Sequence, residues 1–391
     1  MSNTKAALLQ YVESVADEVF ALGCDIFDHP EYGRTEVYAS DLLTKYLEEK
    51  GFAVERGLAD LPTSFRATWE RGSGGPSIGI LMEYDSLKDM GHACGHHLQG
   101  PNGIAAALAL RAAYPGDFKI VLYGTPDEEI AGGKIDMEKA GCFRDVDVMF
   151  GTHTGQGTGA SYKNMALAPT WVTFHGTPSH AAGSPWKGRS AMDAMLLCFH
   201  GLEVMREHVK DGCRIHYTIR EGTGPSNIVH EKASAHITLR SHDRLYLEGD
   251  MVPRMHDIVK GACMMTGTTA EITPRPVYWN HVPVMTLRNL VLDTAEEIGA
   301  PKINREAKMS NGSTDIANVS WVTPTTNVTV YYSDHNGHTV PYMNDGKSEK
   351  ARQSVISAAK IVGLSALKLL EDPALLKAIQ EEHKAAIQPQ D

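Results

Sequence analysis

The sequence predicts an α/β protein: a mostly parallel sheet with helices on both faces, interrupted by a smaller α+β insert. Dense, short apolar runs alternate with helical patterns along the first third of the chain, which is typical of βαβ units. This rhythm changes near Ala168 and returns towards the C-terminus. The length of 391 residues allows about two or three domains.

In the first third of the chain, the sequence pattern predicts alternating helices and buried strands. Its elements are helices at about 5–20 and 38–50, a strand at 77–84, a helix at 104–113, and strands at 118–123 and 146–150. Ligands bind at the carboxyl ends of the strands in such sheets. We therefore expect the chemistry of this protein directly after each strand.

The middle of the chain predicts the order β-α-β-β-α-β, which is that of a ferredoxin-like unit. Its elements are a strand at 171–174, a helix at 190–210, strands at 214–220 and 232–240, a helix near 248–265 and a strand near 270–277. Helices at 287–298 and 348–370 follow, with a strand at 326–331 between them. The predicted division is one domain of residues 1–167 and 281–391, and an insert of residues 168–280.

Composition and charge restrict the kinds of molecule that the protein is expected to bind. With 37 Lys and Arg against 48 Asp and Glu, the net charge is −11, which argues against nucleic-acid binding. No apolar run approaches the roughly 20 residues of a membrane span, and the N-terminus predicts an amphipathic helix, without signal-peptide features. The six cysteines are scattered, which favours reduced thiols and a cytoplasmic location.

Three successive strand ends carry side chains that can bind metal. Cys94 and His96 follow the first strand, Glu128 and Glu129 follow the second, and His153 follows the third. Each motif alone has an ordinary explanation, such as a buried thiol beside a surface histidine or a solvated helix start. Because all three meet at one rim of a parallel sheet, they predict a metal site with a carboxylate available for proton transfer.

Five ordered motifs resemble those of the aminoacylase/carboxypeptidase family of dinuclear metallopeptidases. The resemblance extends from about Glu13 to Glu381. It is greatest to the amidohydrolase branch, which contains aminobenzoyl-glutamate hydrolase, indole-acetyl-amino-acid hydrolases and β-alanyl dipeptidase-like proteins. The motifs are Glu83-Tyr-Asp-Ser-Leu, Gly91-His-Ala-Cys-Gly-His96, Asp127-Glu-Glu129, Ser179-His-Ala-Ala182 and Ser313-Thr-Asp-Ile-Ala-Asn-Val-Ser-Trp321.

This resemblance implies an activity and a set of roles. It implies cleavage of the amide bond of an N-acyl or N-aroyl amino acid or a small dipeptide by a metal-bridging water. Glu128 matches the family's general base. The residues that match its ligands for two divalent ions, Mn²⁺ or Zn²⁺, are Cys94, His96, Glu129, His153 and His338.

The resemblance also assigns a role to the insert, as a dimerisation or lid domain that forms a homodimer. His180 matches a histidine that stabilises the oxyanion in the partner subunit's site. Asn227 matches an asparagine that contacts the small-molecule substrate. The domain of residues 1–167 and 281–391 is then the catalytic, metal-binding one.

Several alternatives stay open at this stage. His335 competes with His338 as a ligand, and Asp85 either orients a ligand histidine or caps the next turn. His97 and Asp127 depart from the family's pattern, so they keep open a hydrolytic deaminase of an aromatic amine on the same scaffold. A binding protein without catalysis is the other alternative.

Overall fold

A computed structural model describes residues 3–388, and the chain divides into two compact units. The larger unit comprises the chain up to Lys163, His281–Met309 and the chain from Thr314 onwards. The smaller unit comprises Asn164–Asn280 and Ser310–Ser313. The smaller unit is thus inserted into the sequence of the larger one.

Each unit contains one sheet. The strands are β1 (Ala53–Arg56), β2 (Phe65–Arg71), β3 (Ser77–Met82), β4 (Phe118–Gly124), β5 (Val148–Gly155), β6 (Gly159–Ala160), β7 (Ala166–His175), β8 (Arg214–Glu221), β9 (Lys232–Ser241), β10 (Thr269–Pro274) and β11 (Thr325–Tyr331). The sheet of the larger unit has the strand order β1-β2-β4-β3-β5-β11-β6, and that of the smaller unit has the order β10-β7-β9-β8.

The helices surround these sheets. They are α1 (Asn3–Asp28), α2 (Val37–Glu49), α3 (Gln99–Ala113), α4 (Gly133–Lys139), α5 (Ala191–Arg206), α6 (Arg244–Tyr246), α7 (Val252–Thr266), α8 (Met285–Glu297), α9 (Ile316–Val319), α10 (Val340–Asn344), α11 (Glu349–Glu371) and α12 (Pro373–Ala386).

Four parallel strands form the centre of the larger sheet. β3 pairs in parallel with β4 and β5, and β5 pairs in parallel with β11. The outer pairs are antiparallel. Strands β1 and β2 were not predicted from the sequence, although β2 alternates between buried and less buried residues at its start. The central strands therefore bring their carboxyl ends to one edge of the sheet.

The larger sheet is covered on both faces, as predicted. Ile120 and Leu122 of β4 belong to the main core with α1, α3, α8 and α11, whereas Val121 and Tyr123 face a second core with α4 and α9. Among the described residues, α11 is long and apolar enough to cross a membrane, but 78% of its apolar window is buried. It has the burial of a core helix.

The smaller unit has the predicted β-α-β-β-α-β order, formed by β7, α5, β8, β9, α7 and β10. Its sheet is antiparallel throughout, and α5 and α7 pack on one face over a core that includes Val172, Phe174 and Ile237. The predicted fold class, with its mostly parallel sheet and inserted α+β unit, is confirmed. β8 and β10 lie at the two edges of this sheet.

Candidate metal centre and active site

The predicted ligands of the larger unit lie near or after the carboxyl ends of the four parallel strands. The loop after β3 carries Cys94 and His96, the loop after β4 carries Glu128 and Glu129, and His153 lies in β5. His338 follows β11. Because parallel strands end at one edge, residues up to 244 positions apart in the sequence are brought to one place.

Donor atoms of these six residues lie close together. In each of three overlapping groups, one nitrogen, sulfur or oxygen atom per residue lies within 4.8 Å of the others. The groups are Cys94, His96 and His153; Cys94, Glu129 and His338; and His96, Glu128 and Glu129. The structure therefore brings together all the metal and general-base candidates of the larger unit.

Backbone and side-chain contacts fix the imidazole tautomers. His153 Nδ1 lies 2.7 Å from the carbonyl oxygen of Thr154, so Nδ1 donates and Nε2 carries the lone pair. Nε2 lies 3.4 Å from Cys94 Sγ. His96 Nδ1 lies 2.9 Å from Asp85 Oδ1, so its Nε2 faces the other candidate ligands. A metal-binding histidine typically has such a partner on its second nitrogen.

The structure places His338, and not His335, with the other candidate ligands. Its backbone has a left-handed φ of 62°, and its amide donates to the carbonyl of Ala93 at 2.9 Å. His338 Nε2 consequently lies 3.5 Å from Glu129 Oε1. Among the described residues, His335 belongs to no cluster of three or more candidate ligands.

A cavity of about 300 Å³ opens beside this cluster. His338 is half exposed on it, while His96 is buried. The cavity gives a small molecule access to Cys94, His153 and His338. Its lining consists of Cys94, His153, Thr154, Gly155, Gln156, Gly337, His338 and Tyr342.

The electrostatics of the cluster favour a bound cation. Burial raises the pKa of the Cys94 thiol to about 12, so a thiolate here needs a positive charge beside it. Burial alone would lower the pKa of His96, but Cys94, Glu83 and Asp85 raise it well above its usual value. His96 Nε2 and Glu129 Oε1 are buried and make no hydrogen bond. A set of sulfur, imidazole and carboxylate donors fits divalent metal ions.

The electrostatic surroundings of Glu128 differ from those of the candidate ligands. Burial, together with the carboxylates of Glu83 and Asp315, raises its pKa well above the usual value. A raised pKa makes the carboxylate a better proton acceptor. Glu128 therefore has the surroundings of a general base.

A buried lysine behind Glu128 was not predicted from the sequence. Lys134 is fully buried, and its Nζ lies 2.6 Å from Glu83 Oε1 and 2.7 Å from Asp315 Oδ1. Gln99 Nε2 donates to the other oxygen of Glu83 at 2.6 Å. Glu83 and Asp315 occur within the motifs that carry the family resemblance, whereas no local pattern marks Lys134. This ion-pair cluster compensates the carboxylate charge next to Glu128.

The two departures from the family's pattern have structural partners. His97 Nε2 lies 2.9 Å from the carbonyl of Gly346, and burial lowers the His97 pKa to about 4. Arg34 Nε donates to Asp127 Oδ2 at 2.6 Å. His97 is thus a neutral residue bonded to the backbone, and the charge of Asp127 is paired.

The two candidates of the smaller unit lie next to each other. His180 pairs with Ile228 in an isolated antiparallel bridge, and the amide of Ala181 donates to the carbonyl of Asn227 at 2.9 Å. His180 Nδ1 accepts from the amide of Gly183 at 3.0 Å. Because Nδ1 accepts, Nε2 carries the proton of the neutral imidazole. Both His180 and Asn227 are exposed.

The chain matches a known family and has similar solved structures. Residues 77–358 match the model of "Peptidase family M20/M25/M40". The structure of a dinuclear metal binding peptidase from Bacillus subtilis superposes with a TM-score of 0.68 at 18% identity, covering 92% of this chain and 99% of that one. The aminobenzoyl-glutamate utilization protein from Klebsiella pneumoniae gives a TM-score of 0.73 at 20% identity, covering 93% and 98%.

Sequence relatives match over nearly the whole length. The Xaa-Arg dipeptidase of Mus musculus is 33% identical, covering 98% of this chain and 93% of the relative. One of the subunits of p-aminobenzoyl-glutamate hydrolase from Escherichia coli (strain K12) is 28% identical, covering 92% and 90%. These matches confirm the resemblance drawn from the motifs. The chain belongs to peptidase family M20/M25/M40 and is a hydrolase of peptide or amide bonds.

Proposed function

We propose that this protein hydrolyses the amide bond of a small dipeptide or an N-acyl or N-aroyl amino acid, with Glu128 as general base. The observation that supports this most directly is the cluster of Glu128 with His96 and Glu129, whose donor atoms lie within 4.8 Å of one another. A proton acceptor beside metal-binding side chains is the arrangement that amide hydrolysis needs.

The proposed ligands are Cys94, His96, Glu129, His153 and His338, which would hold two Mn²⁺ or Zn²⁺ ions. The ions would polarise the substrate carbonyl and make water more acidic. Glu128 would take the proton of the attacking water and return it to the departing nitrogen. Since Glu128 is buried beside other carboxylates, its affinity for that proton is high.

His180 and Asn227 would act on the substrate from the smaller unit. The acceptor role of His180 Nδ1 leaves Nε2–H as a donor for the oxyanion that forms when the carbonyl is attacked. Asn227, held beside His180 by the backbone bond to Ala181, would contact the substrate. In this proposal, His180 serves the partner subunit's site.

A homodimer through the smaller unit is part of the proposal. One of the two edges of its sheet is formed by β8, whose Ile219 side chain is exposed. Leu196 and Val204 of α5 are also exposed. An unpaired strand edge with apolar side chains is suited to association with a second copy. The six cysteines are free, which supports a cytoplasmic location.

The deaminase alternative loses its support. That alternative depended on His97 and Asp127 as unusual groups near the metals. Both instead bond to other parts of the protein, His97 to Gly346 and Asp127 to Arg34. The cluster of Glu128 with candidate metal ligands likewise disfavours a binding protein without catalysis.

Product analysis by mass spectrometry tests the proposal. Metal-loaded wild type and Glu128→Gln would be incubated with dipeptides ending in a basic residue, p-aminobenzoyl-glutamate, β-alanyl dipeptides, N-acyl amino acids and aromatic amines. An acid plus an amine or amino acid, formed only by the wild type, is the expected result. Ammonia with a single organic product, or equal turnover by Glu128→Gln, would contradict the proposal.

A further inference from the structure

The loop that carries Glu128 has an unusual backbone. Asp127, the residue before Glu128, has a left-handed φ of 66°, which non-glycine residues rarely adopt, although Asp and Asn tolerate it best. A residue holds such a conformation only when its surroundings fix it. The contacts of Asp127 therefore bear on where Glu128 points.

Asp127 is held at its amide, its carbonyl and its side chain. The amide donates to Glu36 Oε1 at 2.8 Å, and the carbonyl accepts from the amides of Gly132 and Gly133 at 2.8 and 3.1 Å. The side chain, which is fully buried, accepts from Arg34 Nε at 2.6 Å. The Arg34 side chain is half exposed, but its bond to Asp127 is charge-assisted, and such bonds are stronger than those between neutral groups.

The segment before α2 is shaped to make these contacts. Arg34 itself has a left-handed φ of 69°, and a Cβ on Gly33 would lie 2.2 Å from Asp127 Oδ1. The buried Glu36 is in turn held by Thr63, whose hydroxyl donates to Oε2 at 3.1 Å. The close approach thus depends on glycine at position 33.

Glu129 is held by a different contact. Its amide donates to Asp85 Oδ2 at 2.9 Å, at the other end of the Glu128 residue. Loosening Asp127 should therefore move Glu128 while the ligand Glu129 stays anchored. This separation makes the role of Asp127 distinguishable from a general effect on the metal site.

We propose that Asp127 is a positioning residue for Glu128, and that Arg34 and Glu36 fix it in a left-handed conformation that aims the general base. The inference rests on the proposed function, because Asp127 has this role only if Glu128 is the general base. It explains why a charged residue is compatible with a position next to a general base: its charge is neutralised by Arg34, which comes from the loop segment before α2.

Four variants separate the conformation of residue 127 from its side-chain anchor. Asp127→Asn keeps an acceptor for Arg34 and tolerance of positive φ, so we expect kcat within about threefold of wild type. Asp127→Gly keeps only the permissive backbone. Arg34→Asn removes the guanidinium while tolerating the left-handed φ of residue 34. Both should lower kcat about tenfold or more, with KM and metal content unchanged. Asp136→Asn is the matched control, because the Asp136 carboxylate accepts a hydrogen bond from Arg34 Nη2, at 2.9 Å, and not from the Nε that donates to Asp127.

Hydrogen exchange of the metal-free protein supplies a readout that does not depend on turnover. We expect faster exchange across residues 125–133 in Asp127→Gly and Arg34→Asn than in wild type and Asp136→Asn. Unchanged exchange in both would overturn the inference whether or not the protein hydrolyses any substrate. Accelerated exchange with wild-type kcat in Asp127→Gly, or a loss of kcat that parallels a loss of metal, would overturn it as well. Absence of hydrolysis by the wild type would contradict the proposed function alone.

Discussion

Asp85 holds two candidate ligands with one carboxylate: its Oδ1 lies 2.9 Å from His96 Nδ1, and its Oδ2 accepts the amide of Glu129 at 2.9 Å. Asp85 is almost fully buried, so both bonds are shielded from water. The sequence left two roles open for Asp85. The structure contains the contacts of the first, in which Asp85 orients a ligand histidine.

Asp85→Asn should weaken metal binding about 10- to 100-fold, because the amide cannot supply the charge that orients and polarises His96. Competition with a chelator of known affinity measures this. Asp25→Asn, on the exposed end of α1, serves as the control and should bind metal like wild type. An unchanged affinity in Asp85→Asn would contradict the role of Asp85.

Glu128→Gln should lower kcat by a factor of about 10² to 10⁴ without loss of metal, since it removes a proton acceptor and not a ligand. Glu129→Gln should instead lower the metal content. Measurement of kcat and of bound metal in parallel checks both. A Glu128→Gln protein that loses its metal would show that Glu128 is a ligand.

His180→Ala should lower kcat about 10²- to 10³-fold, as expected for an oxyanion donor. Mixed dimers of His180→Ala with Glu128→Gln test whether it acts across the dimer. One of their two sites would then combine an intact Glu128 with an intact His180, so about half of the wild-type activity should return. If activity stays absent in the mixed dimer, His180 does not act in the partner's site.

Glu36 should make the protein less stable as pH rises. Burial raises its pKa to about 7, so between about pH 4.5 and 7 the folded state binds more protons than the unfolded state. The free energy of unfolding then falls with rising pH, by on the order of 3 kcal/mol for this group. Above pH 7, Glu36→Gln should therefore have a higher Tm than wild type, and near pH 5 the two should be similar.

Thermal unfolding of the metal-free proteins at pH 5 and pH 8 checks this prediction. Glu49→Gln is the control, because Glu49 is exposed and should leave the pH dependence unchanged. Equal pH dependence of Tm in wild type and Glu36→Gln would show that Glu36 does not bind the extra proton.

Features determined by local pattern were predictable from the sequence. The apolar runs of β3, β4 and β5 located the strands, and strand ends located Cys94, Glu128 and His153. His338 could be assigned only through the family resemblance, because no Cys-x-His or paired-carboxylate motif accompanies it and His335 lies three residues away as a rival.

Long-range pairs could not be predicted in this way. Lys134 and Asp315 are 181 positions apart, and His97 and Gly346 are 249 apart. Nothing in the residues near Lys134 specifies a partner that only the sheet topology brings into contact. The contacts of Asp127 could not be predicted for the same reason, because Arg34 and Glu36 lie 93 and 91 positions before it in the sequence.

The position of β11 has a consequence for synthesis on the ribosome. β11 lies between β5 and β6, yet it is translated only after the whole inserted unit. Until then, the edge of β5 has no partner strand, and unpaired edges of buried strands are prone to misassociation. We expect the nascent chain to need protection during this interval. All strands and helices of the inserted unit precede Asn280, so we expect this unit to fold before the sheet that it interrupts.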